Sequence, residues 1–210
     1  MDKASHRWRG NARLIIVYLV LGLINTGPAD AEAMPNDAKR FLEDVMARGT
    51  ALLSAPSDDV DAKAEAFRQL LAEAVDLEAI GRFVLGRHAA GLTPAEWQDY
   101  TSAFADYVLN SSFGRLAGET VSDYRITTAK PAGTIDTLVT TVIHRPGEET
   151  VEVTWRVRVR DAGHAIVDVI VAGVSLAITH RSEFAAILDR EGIAGLIGAM
   201  RRKVPPSSQN

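Results

Sequence analysis

Cysteine is missing from all 210 residues, which rules out disulfides, a thiol nucleophile and cysteine-ligated metal and leaves stability to a packed core. Positive charge is in deficit: 23 Lys and Arg stand against 27 Asp and Glu, a net −4. The basic residues are also scattered, apart from Arg156, Arg158 and Arg160 on one predicted strand. The basic patch that neutralises nucleic-acid phosphates is therefore lacking, and no nucleic-acid partner is expected. The five histidines are spread as His6, His88, His144, His164 and His180. No two share the i,i+3 or i,i+4 spacing of a helical metal site, and neither metal nor cofactor is expected. The apolar run from Leu14 to Ile24 covers 11 residues, about half of the roughly 20 that cross a bilayer as a helix.

The flanks of that short run say what it is. Lys3, Arg7, Arg9 and Arg13 precede it, and Ala29-Asp30-Ala31 or Ala31-Glu32-Ala33 follows with small residues at cleavage spacing. The pattern predicts a secretory signal peptide over residues 1–31, cut after Ala31 or Ala33, and therefore an exported protein. Without residues 1–31 the chain keeps 19 Lys and Arg against 25 Asp and Glu, a net −6. At 47% hydrophobic content the remainder can bury one sizeable core and is short for two. A single domain over 34–203 and a polar tail at 204–210 are expected.

Within that domain the first half has a helical period. Pro35-Asn36-Asp37 opens a stripe of Ala38, Phe41, Leu42, Val45 and Met46, and Ser57-Asp58-Asp59 caps a second helix. Asp76 caps a third through Leu77, Ile80, Phe83 and Val84, which Gly86 ends. Thr93-Pro94-Ala95-Glu96 is a capping box with proline at the first helical position. It opens a long helix with the stripe Trp97, Tyr100, Phe104, Tyr107 and Val108, continued by Phe113 and Leu116. From Val121 the period becomes 2, giving strands at 121–128, 137–144, 150–160 and 164–171 joined by short turns, hence an antiparallel meander. On the third, Val151, Val153, Trp155, Val157 and Val159 face one way and Glu152, Thr154, Arg156, Arg158 and Arg160 the other. Gly173 breaks the last strand, Ser182-Glu183 reads as the start of a helix, and 192–203 as a closing amphipathic one. Helices followed by strands predict an α+β fold: a curved antiparallel sheet of four strands, or slightly more, on a helix layer, with an apolar cavity between them.

Two places carry a hint of covalent chemistry. Gly173-Val174-Ser175-Leu176-Ala177 falls one residue short of a G-x-S-x-G nucleophile elbow, but a meander lacks the parallel sheet and downstream acid and base that motif needs, so a tight turn is the better reading. Asp168 interrupts Ile166 to Val171, and strand parity sets it with Ile166 and Ile170, opposite Val167, Val169 and Val171. In a cone-shaped α+β barrel it would be a general base raised by desolvation; with no partner acid evident, a non-enzyme is expected.

The stretch 168–184, Asp168-Val169 through Gly173-Val174-Ser175 to Arg181-Ser182-Glu183-Phe184, resembles the strand-turn-helix signature of the MlaC/toluene-tolerance family of periplasmic phospholipid-binding proteins. Ala79-Ile80-Gly81-Arg82-Phe83-Val84-Leu85-Gly86-Arg87-His88 is similar to that family's helix end. The matching regions span roughly 36 to 203. This resemblance implies a periplasmic protein that shuttles a two-chain phospholipid between outer and inner membranes. It would be the soluble component of an ABC-type transport pathway that maintains outer-membrane lipid asymmetry. The implied partners are an inner-membrane ABC transporter complex and an outer-membrane lipoprotein complex. The cavity it implies is assigned here to Phe83, Val84, Phe104, Tyr107 and Val108 on helices and to Val153, Trp155, Val169, Val171 and Val174 on the sheet and its exit turn. Arg181 and Phe184 match the family's Arg-x-x-Phe element: either Arg181 lies near the mouth and attracts a phosphate, or it caps a carboxylate while Phe184 packs on the sheet. Ala89 stands where many members have Trp, and Ser111-Ser112-Phe113 replaces the usual Tyr. The motifs also resemble the hopanoid-associated branch of the family, which implies a polycyclic lipid as the alternative cargo.

Overall fold

Alternating and helical apolar patterns become five helices and one sheet in the computed structural model, which describes residues 28–55, 59–116, 123–144 and 149–203, and the side chains of these except 28–33 and 111–116. The predicted signal segment up to residue 27, the tail 204–210, the predicted strand start at Val121, the Ser57-Asp58 part of the second cap and the 145–147 turn lie outside them. Helix α1 spans Pro28–Ser54, α2 Val60–Ala74, α3 Leu77–Leu85 and α4 Pro94–Leu116, with a 3-10 segment Gly86–Gly91 between the last two. Strands β1 (Asp123–Ala132), β2 (Asp136–His144), β3 (Val151–Arg160), β4 (Gly163–Val171) and β5 (Val174–Ser175) follow, then α5, Leu176–Lys203. The sheet is a pure antiparallel meander in the order β1-β2-β3-β4-β5, curved and unclosed, so the α+β expectation holds with one short extra strand.

The helix starts form where side chains can satisfy orphan amides. Asp59 accepts from the Ala62 amide and Asp76 from the Ala79 amide, both at 2.9 Å, each worth about 1 kcal/mol. The box before α4 closes both ways: Thr93 N–H donates to Glu96 Oε2 at 2.8 Å, and the Glu96 amide donates back to Thr93 Oγ1 at 3.3 Å. Helix α3 ends on Gly86 at φ 55°, the left-handed conformation glycine adopts without a Cβ penalty.

Two sequence expectations are corrected. Helix α5 begins at Leu176, six residues before Ser182, because Ser175 is the cap: its Oγ accepts from the Ile178 amide at 3.1 Å. Ser182 sits inside the helix and donates back to Ile178 O. The predicted closing helix is the second half of the same element, beyond a break at Gly192 (φ 66°). The second correction is parity on β4. A register shift between Arg156 and Val157 makes Val167 the extra residue, so Asp168 lies opposite Arg156 while Ile166 lies opposite Val157. Ile166 therefore belongs to the apolar face and Asp168 to the face of the arginines.

The core comes in two parts. One lies among helices: Val84, Leu85, Tyr100, Phe104, Phe184 and Leu196 are all buried there. The other lies between α1 and the sheet, where Ala38, Leu42 and Val45 of one helix stripe meet Val139, Val157 and Ile166. Helices α3 and α4 approach closely at Gly81, where a Cβ would sit 3.3 Å from Phe104 and 3.4 Å from the Tyr100 ring.

Candidate functional site

Strand register arranges the apolar face of the sheet in rows. One row crosses all five strands, Ile126–Thr141–Val153–Val171–Val174, and the next is Ala129–Val139–Trp155–Val169. All five sheet residues predicted for the site, Val153, Trp155, Val169, Val171 and Val174, thus stand on one face in two adjacent rows. From Thr141 toward β5 exposure rises along the first of them: Thr141 is 0% exposed and Val153 6%, Val171 is half-buried, and Val174 reaches 58%. The apolar surface runs from interior to solvent without a polar interruption past Thr141. That threonine, which sequence reasoning missed, is itself satisfied: Trp155 Nε1 donates to its Oγ1 at 3.0 Å, and the hydroxyl donates to Val153 O at 3.1 Å. The alternation Thr137, Val139, Thr141 on β2 was the available signal.

The helix residues divide. Val84, Phe104 and Tyr107 are buried in the helical core, with Val108 partly buried at its rim. Phe104 stacks with Tyr100 at 5.7 Å between centroids and meets Phe184 edge-on at 6.4 Å. Phe184 therefore packs among helices, not on the sheet, with Tyr107 at 5.9 Å and His180 at 5.7 Å. The Tyr100 hydroxyl donates to Gly81 O at 3.0 Å, and burial pushes its phenol well above the usual tyrosine range. Ala89, the small residue in place of Trp, packs against this helical core. Phe83 instead points outward, 43% exposed. Its ring lies 5.0 Å from the Arg181 guanidinium, and Arg181 Nη1 donates to Phe83 O at 3.3 Å. Arg181 thus sits over the C-terminal carbonyls of α3, where a cation also offsets the helix dipole.

The groups with catalytic resemblance are occupied elsewhere. Ser175 Oγ donates to Asp168 Oδ2 at 2.7 Å, and the Ala177 amide donates to Asp168 Oδ1 at 3.1 Å. Both carboxylate oxygens hold the start of α5, on the face away from Trp155 and Val169. Asp136 is the buried acid sequence reasoning missed. Arg158 meets it through two bonds, 2.7 and 3.0 Å, and Arg156 through one at 3.3 Å. The Arg158 guanidinium holds its carboxyl below the usual aspartate range. Among the described residues no cluster of three or more His, Asp and Glu could hold a metal ion. An open cleft of about 390 Å³ lies on the helix side, lined by Arg87, His88, Leu92, Glu96, Leu188 and Ile193. It is separate from the sheet rows.

The family described as MlaC protein matches residues 39–202. The chain belongs to the MlaC family. Its fold is also similar to that of the phospholipid-binding protein from Ralstonia solanacearum, solved in complex with a phospholipid. The TM-score is 0.67 at 22% identity, over 80% of this chain and 96% of that one. At this identity the likeness concerns the fold.

Proposed function

We propose that this chain is a carrier for a two-chain phospholipid, working in the periplasm as the soluble component of an ABC-type transport pathway. The observation that carries this reading is the apolar row Thr141–Val153–Val171–Val174, which leads from the buried sheet face to the surface. A chain that needed only a folded core would have no cause to leave Val174 exposed and Val171 and Trp155 only partly covered beside it. Family membership and the phospholipid-bound structure of the Ralstonia protein support the choice of ligand. Among the described residues no helix is long and apolar enough to cross a membrane. Cleavage after Ala31 or Ala33 would leave Pro35 in the first turn of α1, where a proline ring is tolerated.

Energetics decide what such a carrier does. Moving a methylene from water into an apolar site is worth about 0.8 kcal/mol, so two chains burying about ten methylenes each gain roughly 16 kcal/mol gross. Release into water is then negligible. Moving the same methylenes from a membrane to the protein exchanges one apolar environment for another, and the net term is near zero. Direction therefore comes from partners: an inner-membrane ABC transporter complex and an outer-membrane lipoprotein complex, with maintenance of outer-membrane lipid asymmetry as the outcome. Arg181, exposed at the end of α3, is the phosphate contact in this reading.

The test is mass spectrometry of the solvent extract from chain purified without detergent. Near-stoichiometric two-chain phospholipid is the expected result, with less anionic lipid from Arg181→Ala. A folded but empty protein would overturn the carrier reading, and a triterpenoid from a host that makes one would transfer it to polycyclic cargo.

A further inference from the structure

The corner where β5 passes into α5 exposes more apolar surface than a closed fold needs. Val174 and Ile178 are each 58% exposed, and Leu176 37%. Phe83, outward on α3, joins them through Arg181, which lies one helical turn beyond Ile178 with its guanidinium against the Phe83 ring. The turn that projects this corner is strained. Ala172 and Gly173 both have positive φ, 49° and 82°, the arrangement of a type I′ hairpin turn in which a residue with a side chain is disfavoured. Val174 ends the apolar row that runs through Thr141, Val153 and Val171, so the lip and the proposed cargo site form one surface.

We propose that this lip docks on the surface of a phospholipid bilayer. The proposal rests on the carrier reading and adds where cargo crosses. Three observations select a bilayer over a protein. The lip consists of four projecting side chains, well short of the roughly 20 to 30 residues that a specific protein partner engages on each side. A fluid bilayer needs no matching shape. Strand β5 has only two residues, too few for a peptide to add to its free edge. Arg181 places one exposed guanidinium beside the apolar groups, at the height of lipid phosphates when those groups are inserted. The acidic balance, −6 without residues 1–31, gives no long-range attraction to anionic membranes, so contact is brief and depends on apolar insertion.

The test places a reporter on the lip. Ile178→Trp, in a Trp97→Phe background, is titrated with vesicles of phosphatidylethanolamine and phosphatidylglycerol, with and without brominated acyl chains, and its emission is read as the difference from the Trp97→Phe parent. The expected result is a blue-shifted emission from the introduced indole that brominated lipid quenches; adding Val174→Glu should weaken vesicle association roughly tenfold or more. Because the signal is local, association through any other segment does not reproduce it. An unshifted, unquenched emission overturns the proposal, as does Val174→Glu binding like its parent. The same preparations are extracted for lipid. Cargo present with a silent lip removes the docking and leaves the carrier; an empty protein with a quenched lip removes the carrier and leaves the docking.

Discussion

Gly86 and Asp136 show how single residues set the limits of this fold. At Gly86 the backbone is left-handed, and a Cβ would lie 2.9 Å from Arg181 Nη2. Gly86→Ala therefore combines backbone strain with displacement of the guanidinium that holds α5 to α3. It should cost about 1–3 kcal/mol in urea unfolding. Gly91→Ala, with nothing near its Cβ and no positive φ, should change stability by no more than about 0.5 kcal/mol. Asp136 is buried against Arg156 and Arg158 on the opposite face of the sheet from Trp155. Its carboxyl is lowered chiefly by the hydrogen bonds from Arg158. A lowered folded-state carboxyl stabilises fully above the ordinary aspartate value of about 3.9 and loses that contribution as pH falls through the lowered value. The wild type should therefore lose stability below about pH 4, and Asp136→Asn, less stable at neutral pH, should show a shallower acid limb in thermal melts across that range.

The element whose assembly matters most is α5. Its start is pinned to β4 by Asp168 and Ser175, and its two halves are separated by Gly192. Its apolar side closes the helical core through Phe184, Leu188, Leu196 and Met200. Ser175→Ala removes the cap and should cost about 1 kcal/mol. Asp168→Asn keeps an acceptor for the Ala177 amide and should cost less than Asp168→Ala. Since Asp168 faces away from the apolar rows, neither Asp168 variant should change the lipid recovered per folded protein. A variant with intact melting temperature and no cargo would contradict this placement.

For the whole molecule the consequential feature is the division of the core, with a half-covered sheet face beside it. Trp155 stands there, half-buried, with its indole N–H held by Thr141. Removing cargo should therefore change its surroundings. In a Trp97→Phe background of the chain processed after Ala31 or Ala33, which also lacks Trp8, the emission should shift red on delipidation and return on reloading. An unchanged spectrum across both states would place the cargo away from this face.

The one-dimensional patterns alone determined helices α2 to α4, the strand alternation and the starts with a local cap, because caps and periodicity are local: Thr93 with Glu96, Asp76 before α3, the valines of β3; the start of α5 at Ser175 was missed. They also put the five sheet residues predicted for the site on one face, since alternate residues of a strand share a face. Three things were decided only by the tertiary structure. The register shift at Val167 sent Ile166 to the apolar face and Asp168 to the other, since a bulge changes parity without a local signature. The aromatic stripe of α4 packed on α5, which put Phe104 and Tyr107 into a helical core, because a stripe names a buried face and not what covers it. Arg181 reached the end of α3 across 98 residues, and Ile178 stayed uncovered. Those outcomes depend on which elements meet, and sequence spacing holds no record of that.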